Sequence, residues 1–108
     1  MHQRLHRDHL KVNVRVLERD SGRVLGHLVD LSLGGLCVSG ESPACEGDPV
    51  WLTLNLPWPI DGQRQVSVAA SLRWQRDAGR RRHAGYRLHA ADAPALAVLD
   101  ALAARFAD

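Results

Sequence analysis

The chain has 108 residues, enough for one hydrophobic core and too few for two independent ones. An apolar fraction of 45% is that of a globular protein and excludes wholesale disorder. Its 14 basic and 12 acidic residues leave a net charge of only +2, which excludes a strongly cationic arm of the kind that coats nucleic acid. All the basic residues but Lys11 are arginines, whose planar fork of donors suits phosphates and guanine edges better than a lysine point charge does.

Residues 1–9 form a polar, basic arm bearing Arg4 and Arg7 among His2, His6 and His9. It has no apolar stretch of the kind a signal peptide carries, so the expectation is a cytoplasmic protein. Val12, Val14 and Val16 then alternate with Asn13 and Arg15, the period of a half-buried strand. Asp20-Ser21-Gly22 is turn chemistry, and Val24 to Val29 resumes as a second strand. Asp30 to Gly35 interrupts it before a third short run, Leu36-Cys37-Val38.

Val50, Leu52, Leu54 and Leu56 alternate along a fourth strand that Pro57 and Pro59 are expected to end. The uncharged stretch from Pro49 to Ile60 falls short of the ~20 residues that span a bilayer, so no membrane span is expected. Val66, Val68, Ala70, Leu72 and Trp74 make the longest strand. Asp77 to His83, with Arg80-Arg81-Arg82, reads as a solvated hairpin loop before a sixth strand, Gly85 to His89. Asp92 can cap a helix with Pro94 in its first turn, and Leu96, Leu99, Leu102, Ala103 and Phe106 recur at helical spacing. Six short strands and one final helix predict an all-β core, a six-stranded antiparallel β-barrel with a C-terminal α-helix. The domain boundaries expected are a flexible arm at 1–9, a barrel at 10–91 and a helix at 92–107.

Asp30-x-Ser32-x-x-Gly35 lies between two strands and downstream of an arginine-bearing arm. In this the sequence resembles the PilZ domain family of bacterial cyclic di-GMP receptors, with its R-x-x-x-R arm and its later [D/N]-x-S-x-x-G. The likeness continues through Gly35 to Val38, Val50 to Pro57, Ser71-Leu72-Arg73-Trp74 and Gly85-Tyr86-Arg87-Leu88. The family fold, a six-stranded barrel with helical additions, agrees with the strand count. The first motif departs: Gln3 stands where the family has an arginine, while Arg4 and Arg7 keep their places. An amide donates a hydrogen bond but has neither charge nor guanidinium face, a change that bears on ligand affinity and not on fold.

The resemblance implies a cyclic di-GMP site made by Gln3, Arg4, Arg7, Asp30, Ser32, Gly34, Gly35 and Trp74. Arginine suits this ligand twice, by bidentate donation to guanine O6 and N7 and by stacking on the base. Asp30 can accept from a guanine's Watson–Crick donors, Ser32 can donate to phosphate or base, and Gly34-Gly35 permits a close backbone approach. Trp74 resembles a stacking position of some family members, although a tryptophan ending an alternating strand also serves as a core or rim residue. In the family, ligand orders the arm and changes the surface met by a partner protein. That implies a monomeric cyclic di-GMP receptor acting on an unidentified protein, with a nucleotide-free PilZ-type interaction module as the alternative.

Other readings are weaker. Arg80-Arg81-Arg82 with Arg73 and Arg76 suggests a nucleic-acid patch, but no nucleic-acid-reading motif accompanies it, so no nucleic-acid partner is expected. His6 and His9 lack a third ligand, so no metal and no cofactor are expected. Cys37 and Cys45 read as small buried thiols. Ser32 is in no Gly-x-Ser-x-Gly elbow, and neither paired carboxylates nor a phosphate-cradling loop appears, so the chain reads as a binder and not an enzyme.

Overall fold

The computed structural model describes residues 13–32 and 34–106. Six antiparallel strands, β1 (Arg15–Glu18), β2 (Val24–Leu31), β3 (Gly35–Gly40), β4 (Val50–Ile60), β5 (Gln63–Ala78) and β6 (Arg81–Ala91), precede one helix, α1 (Ala93–Phe106). They close into a barrel in the order β1-β2-β3-β6-β5-β4, with β4 pairing back onto β1.

Alternation fills the interior. Val14 and Val16, Leu52 and Leu54, and Val66 and Val68 point inwards and are buried, as a two-residue period requires. β2 obeys a different rule: its buried leucines, Leu25, Leu28 and Leu31, are three residues apart. The register slips once against β1 and once against β3, and each bulge absorbs one residue and restores the inward phase. Asp30 and Leu31 are therefore the end of β2 and not an interruption of it.

Two expected strand ends are corrected. Pro57 and Pro59 lie inside β4, because the ladder to β5 passes from Asn55–Gln65 to Ile60–Gln63 and needs no N–H from either proline. Asp77 to His83 is not a loop: β5 and β6 continue to the Ala78–Arg81 pair and turn over Gly79-Arg80, with Gly79 at φ +73°. Beyond the barrel both faces of this hairpin meet water, so its residues need no apolar alternation and their charge concealed the strand.

Asp92 caps α1, its Oδ1 accepting the Ala95 N–H at 3.0 Å. Ala95, Val98, Leu99 and Leu102 form the buried stripe at i, i+3, i+4 and i+7. Leu96, expected in that stripe, is 57% exposed, since the small Ala95 and Val98 turn the helix by one position. The helix packs on β2, β5 and β6. As β2 and β5 stand opposite each other in the ring, α1 lies across one open end and closes the core.

Candidate functional site

The bulge in β2 gives the site its acid. Leu28 pairs with Val38 and Asp30 with Cys37, which leaves Val29 as the extra residue. Asp30 thereby faces out while Leu31 faces in, and its Oδ1 accepts the Leu31 N–H at 2.9 Å. The turn that follows is held at both ends. The Ser32 N–H donates to the Gly35 carbonyl at 2.9 Å, and the Leu88 N–H of β6 donates to the Gly34 carbonyl at 3.0 Å. A Cβ at Gly35 would run into the Tyr86 carbonyl, so a side chain there would push β3 off β6.

A bulge in β5 supplies the opposite wall. Leu72 pairs with Tyr86 and Trp74 with Gly85, so Arg73 is the extra residue and is exposed. The Trp74 indole, 44% exposed, lies over Gly85, where a Cβ would overlap the ring. The Arg76 guanidinium stands over the same ring at 5.2 Å. Cys37 and Gly85 pair with each other across β3 and β6, and join the Asp30 row to the Trp74 row. Burial, and then the charge of Asp30, push the Cys37 thiol up from its ordinary range, so this part of the floor is uncharged at neutral pH.

The result is an open groove of about 250 Å³ on the outer barrel face. It brings together Asp30, Ser32, Gly34, Gly35 and Trp74, five of the residues expected in a site, and adds Arg73 and Arg87. A carboxylate and a hydroxyl thus sit opposite an indole, with two guanidinium groups on the same face. That set can grip a planar base with polar edges and an attached anion. The volume lies below the roughly 300–1,000 Å³ of enclosed small-molecule sites, so a dinucleotide would need a further wall. A larger hollow of about 500 Å³ lies between α1 and β6, lined mainly by Leu88, Ala91, Leu96 and Leu99. It touches the groove at Ser32 but has little of the chemistry.

A family model described as PilZ domain matches residues 2–105. The chain belongs to the PilZ family. Neither the comparison with curated proteins nor that with solved structures returned a match. PilZ domains form a cyclic di-GMP-binding family of ligand-binding and adaptor modules, not of enzymes.

Gln3, Arg4 and Arg7 of the PilZ arm lie outside the described residues. The point from which they hang is defined: the Val14 carbonyl accepts the Leu28 N–H at 2.8 Å, beside the β2 bulge. Arg7 is six residues before Asn13, a span of at most about 20 Å.

Arg73 and Arg87 are the charged groove residues that the sequence reading did not assign to the site. Arg87 had a signal, since a buried Tyr86 turns Gly85 and Arg87 outwards together. Arg73 had none, because its position depends on the bulge. The other tryptophans carry arginines too, Arg19 over Trp51 at 4.5 Å and Arg105 over Trp58 at 5.0 Å.

One cluster has the residue types of a hydrolase without its wiring. Ser71 Oγ lies 2.6 Å from His89 Nε2 and donates to Asp48 Oδ1 at 2.7 Å. The serine proton is committed to the carboxylate, so the imidazole does not act as its base. The three side chains instead tie the loop before β4 to β5 and β6. Among the described residues no group of three His, Cys, Asp or Glu side chains is placed to hold a metal ion. Nor is any described helix long and apolar enough to cross a membrane.

Proposed function

We propose that this PilZ domain is a cyclic di-GMP receptor whose N-terminal arm closes over the ligand and so changes the surface offered to a partner protein. The observation that carries this is the groove, which gathers Asp30, Ser32, Gly34, Gly35 and Trp74 from two distant parts of the sequence. A guanine stacked on Trp74 would gain about 1–3 kcal/mol. Asp30 accepts from its N1–H and N2–H₂, Ser32 donates to a phosphate or the base, and Arg73 and Arg87 balance phosphate charge. Arg4 and Arg7 bring the missing wall, donating to guanine O6 and N7 or stacking on the base. Ligand favours the closed arm by the contacts that only the closed state makes, and this differential carries the signal. A receptor for an intracellular messenger works in the cytoplasm, the compartment this reading assigns.

Isothermal titration of the full chain with cyclic di-GMP, with GTP and cyclic di-AMP as controls, tests the proposal. Saturable heat for cyclic di-GMP alone is expected, lost in Arg7→Ala and Asp30→Ala, and the stoichiometry distinguishes one bound ligand from a stacked pair. No heat and unchanged tryptophan fluorescence would overturn it. Gln3 then becomes the telling residue, and favours a PilZ module that meets its partner without nucleotide.

A further inference from the structure

β5 outlasts its neighbour on one side. β4 accompanies it only to the Val50–Ala70 pair, whereas β6 stays with it to Ala78–Arg81. Among the described residues, no backbone group pairs with 72–78 on the side away from β6. At about 3.3 Å per residue this is a free strand edge of roughly 23 Å. Arg73 to Ala78 along it are all exposed.

The charge on this edge is as uneven as its pairing. From Ser71 to His83 the hairpin carries five arginines and one aspartate, net +4 in a chain whose total is +2, so the rest of the chain is net negative. The aspartate, Asp77, already holds Arg82 at 3.1 Å, and Arg81 donates to Ser39 of β3, which leaves Arg73, Arg76 and Arg80 facing outwards. Arginines on an open edge oppose pairing with a second copy, since two hairpins of net +4 would meet. Residues 1–12 are also a poor match, with Arg4, Arg7 and Lys11 against Asp8. A single-stranded nucleic acid would satisfy the charge but leave the row of N–H and C=O groups unpaired. An acidic strand satisfies both.

We propose that residues 72–78 of β5 are a docking edge for an extended acidic segment of a partner protein, which adds to the β3-β6-β5 sheet as a further strand. Main-chain hydrogen bonds supply the affinity, and carboxylates on alternate residues of the incoming strand meet Arg73 and Arg76. The edge shares Arg73 and Trp74 with the groove, but this docking does not require nucleotide to be bound there.

The test uses the full chain without nucleotide and a short labelled peptide alternating glutamate with valine. Saturable binding is expected, with amide hydrogen exchange slowed at 72–78. Arg76→Glu should weaken binding about tenfold, and Arg64→Glu, on the part of β5 that β4 covers, should leave it unchanged. A peptide of the same charge with alternate prolines should not bind, because it cannot complete a strand. The proposal fails if there is no binding, if binding slows exchange elsewhere and not at 72–78, or if the proline peptide or an oligothymidylate of equal charge binds equally well. In those cases the arginines only keep the edge from pairing or form a general polyanion surface.

Discussion

A methyl group at position 85 would overlap the Trp74 indole, because the ring rests on β6 where that strand has no side chain. Gly85→Ala should therefore lift the ring from the groove wall while leaving the ladder in place. The expected cost is one base stack, roughly a five- to 150-fold loss of cyclic di-GMP affinity. Titration and the tryptophan fluorescence change on ligand addition would check it, and unchanged affinity would remove Trp74 from the site. The neighbouring Tyr86 acts inwards. Its buried hydroxyl donates to the Pro43 carbonyl, and burial pushes its pKa well above the ordinary 10.0. A raised folded pKa stabilises the fold below the unfolded value and loses that contribution as pH rises past it. Burial raises Cys37 and Cys45 from 9.0 in the same sense. Stability in urea should fall above pH 9.0 and more steeply above pH 10.0. Tyr86→Phe should remove the steeper part and cost about 1–3 kcal/mol at neutral pH, since the Pro43 carbonyl loses its donor.

At the level of elements, the strand count and the helix were readable because valines and leucines alternate against polar residues in β1, β4 and β5. Asp30, Ser32 and Gly35 were readable because their spacing is local to one turn. What could not be read was every feature made by two bulges. The phase of β2 after Leu28 and the outward turn of Arg73 depend on which residue of a neighbouring strand each residue meets, and no single segment encodes that. The charged end of the β5–β6 hairpin was hidden because strand periodicity is visible only where one face is buried. The β5 bulge yields a direct check. Deleting Arg73 keeps both the Leu72–Tyr86 and the Trp74–Gly85 pairs, so the barrel should fold with a stability change under about 1 kcal/mol. Cyclic di-GMP binding should weaken about tenfold through loss of one charge-assisted contact. Thermal melts and titration of the deletion variant would separate the two effects. A melt shifted far downward would mean that the bulge fixes the register of the whole hairpin.

For the molecule as a whole, the proposed reading divides the labour between a closed core and the arm that precedes Asn13. The core residues from Val14 to Leu102 are buried within the barrel and under α1, so the fold is expected to stand without the arm's arginines. On the proposed reading ligand binding does call on the arm's arginines, because the groove alone is too small and too open to enclose a dinucleotide. The two roles separate in a melting experiment. Without ligand, Arg7→Ala should melt at the temperature of the parent chain. At a hundredfold excess over Kd, ligand stabilises the parent by about 2.7 kcal/mol, or roughly 10–20 °C for a domain of this size, and Arg7→Ala should lose most of that shift. Gln3→Arg works in the opposite direction. Restoring a guanidinium at the first arm position should tighten binding about tenfold and enlarge the shift at the same ligand concentration, with the ligand-free melt unchanged. If Gln3→Arg leaves the shift as it was, position 3 does not meet the ligand and the register of the arm is wrong. If Arg7→Ala lowers the melt of the free protein instead, the arm is part of the folded body, and a closing arm is not how this domain signals.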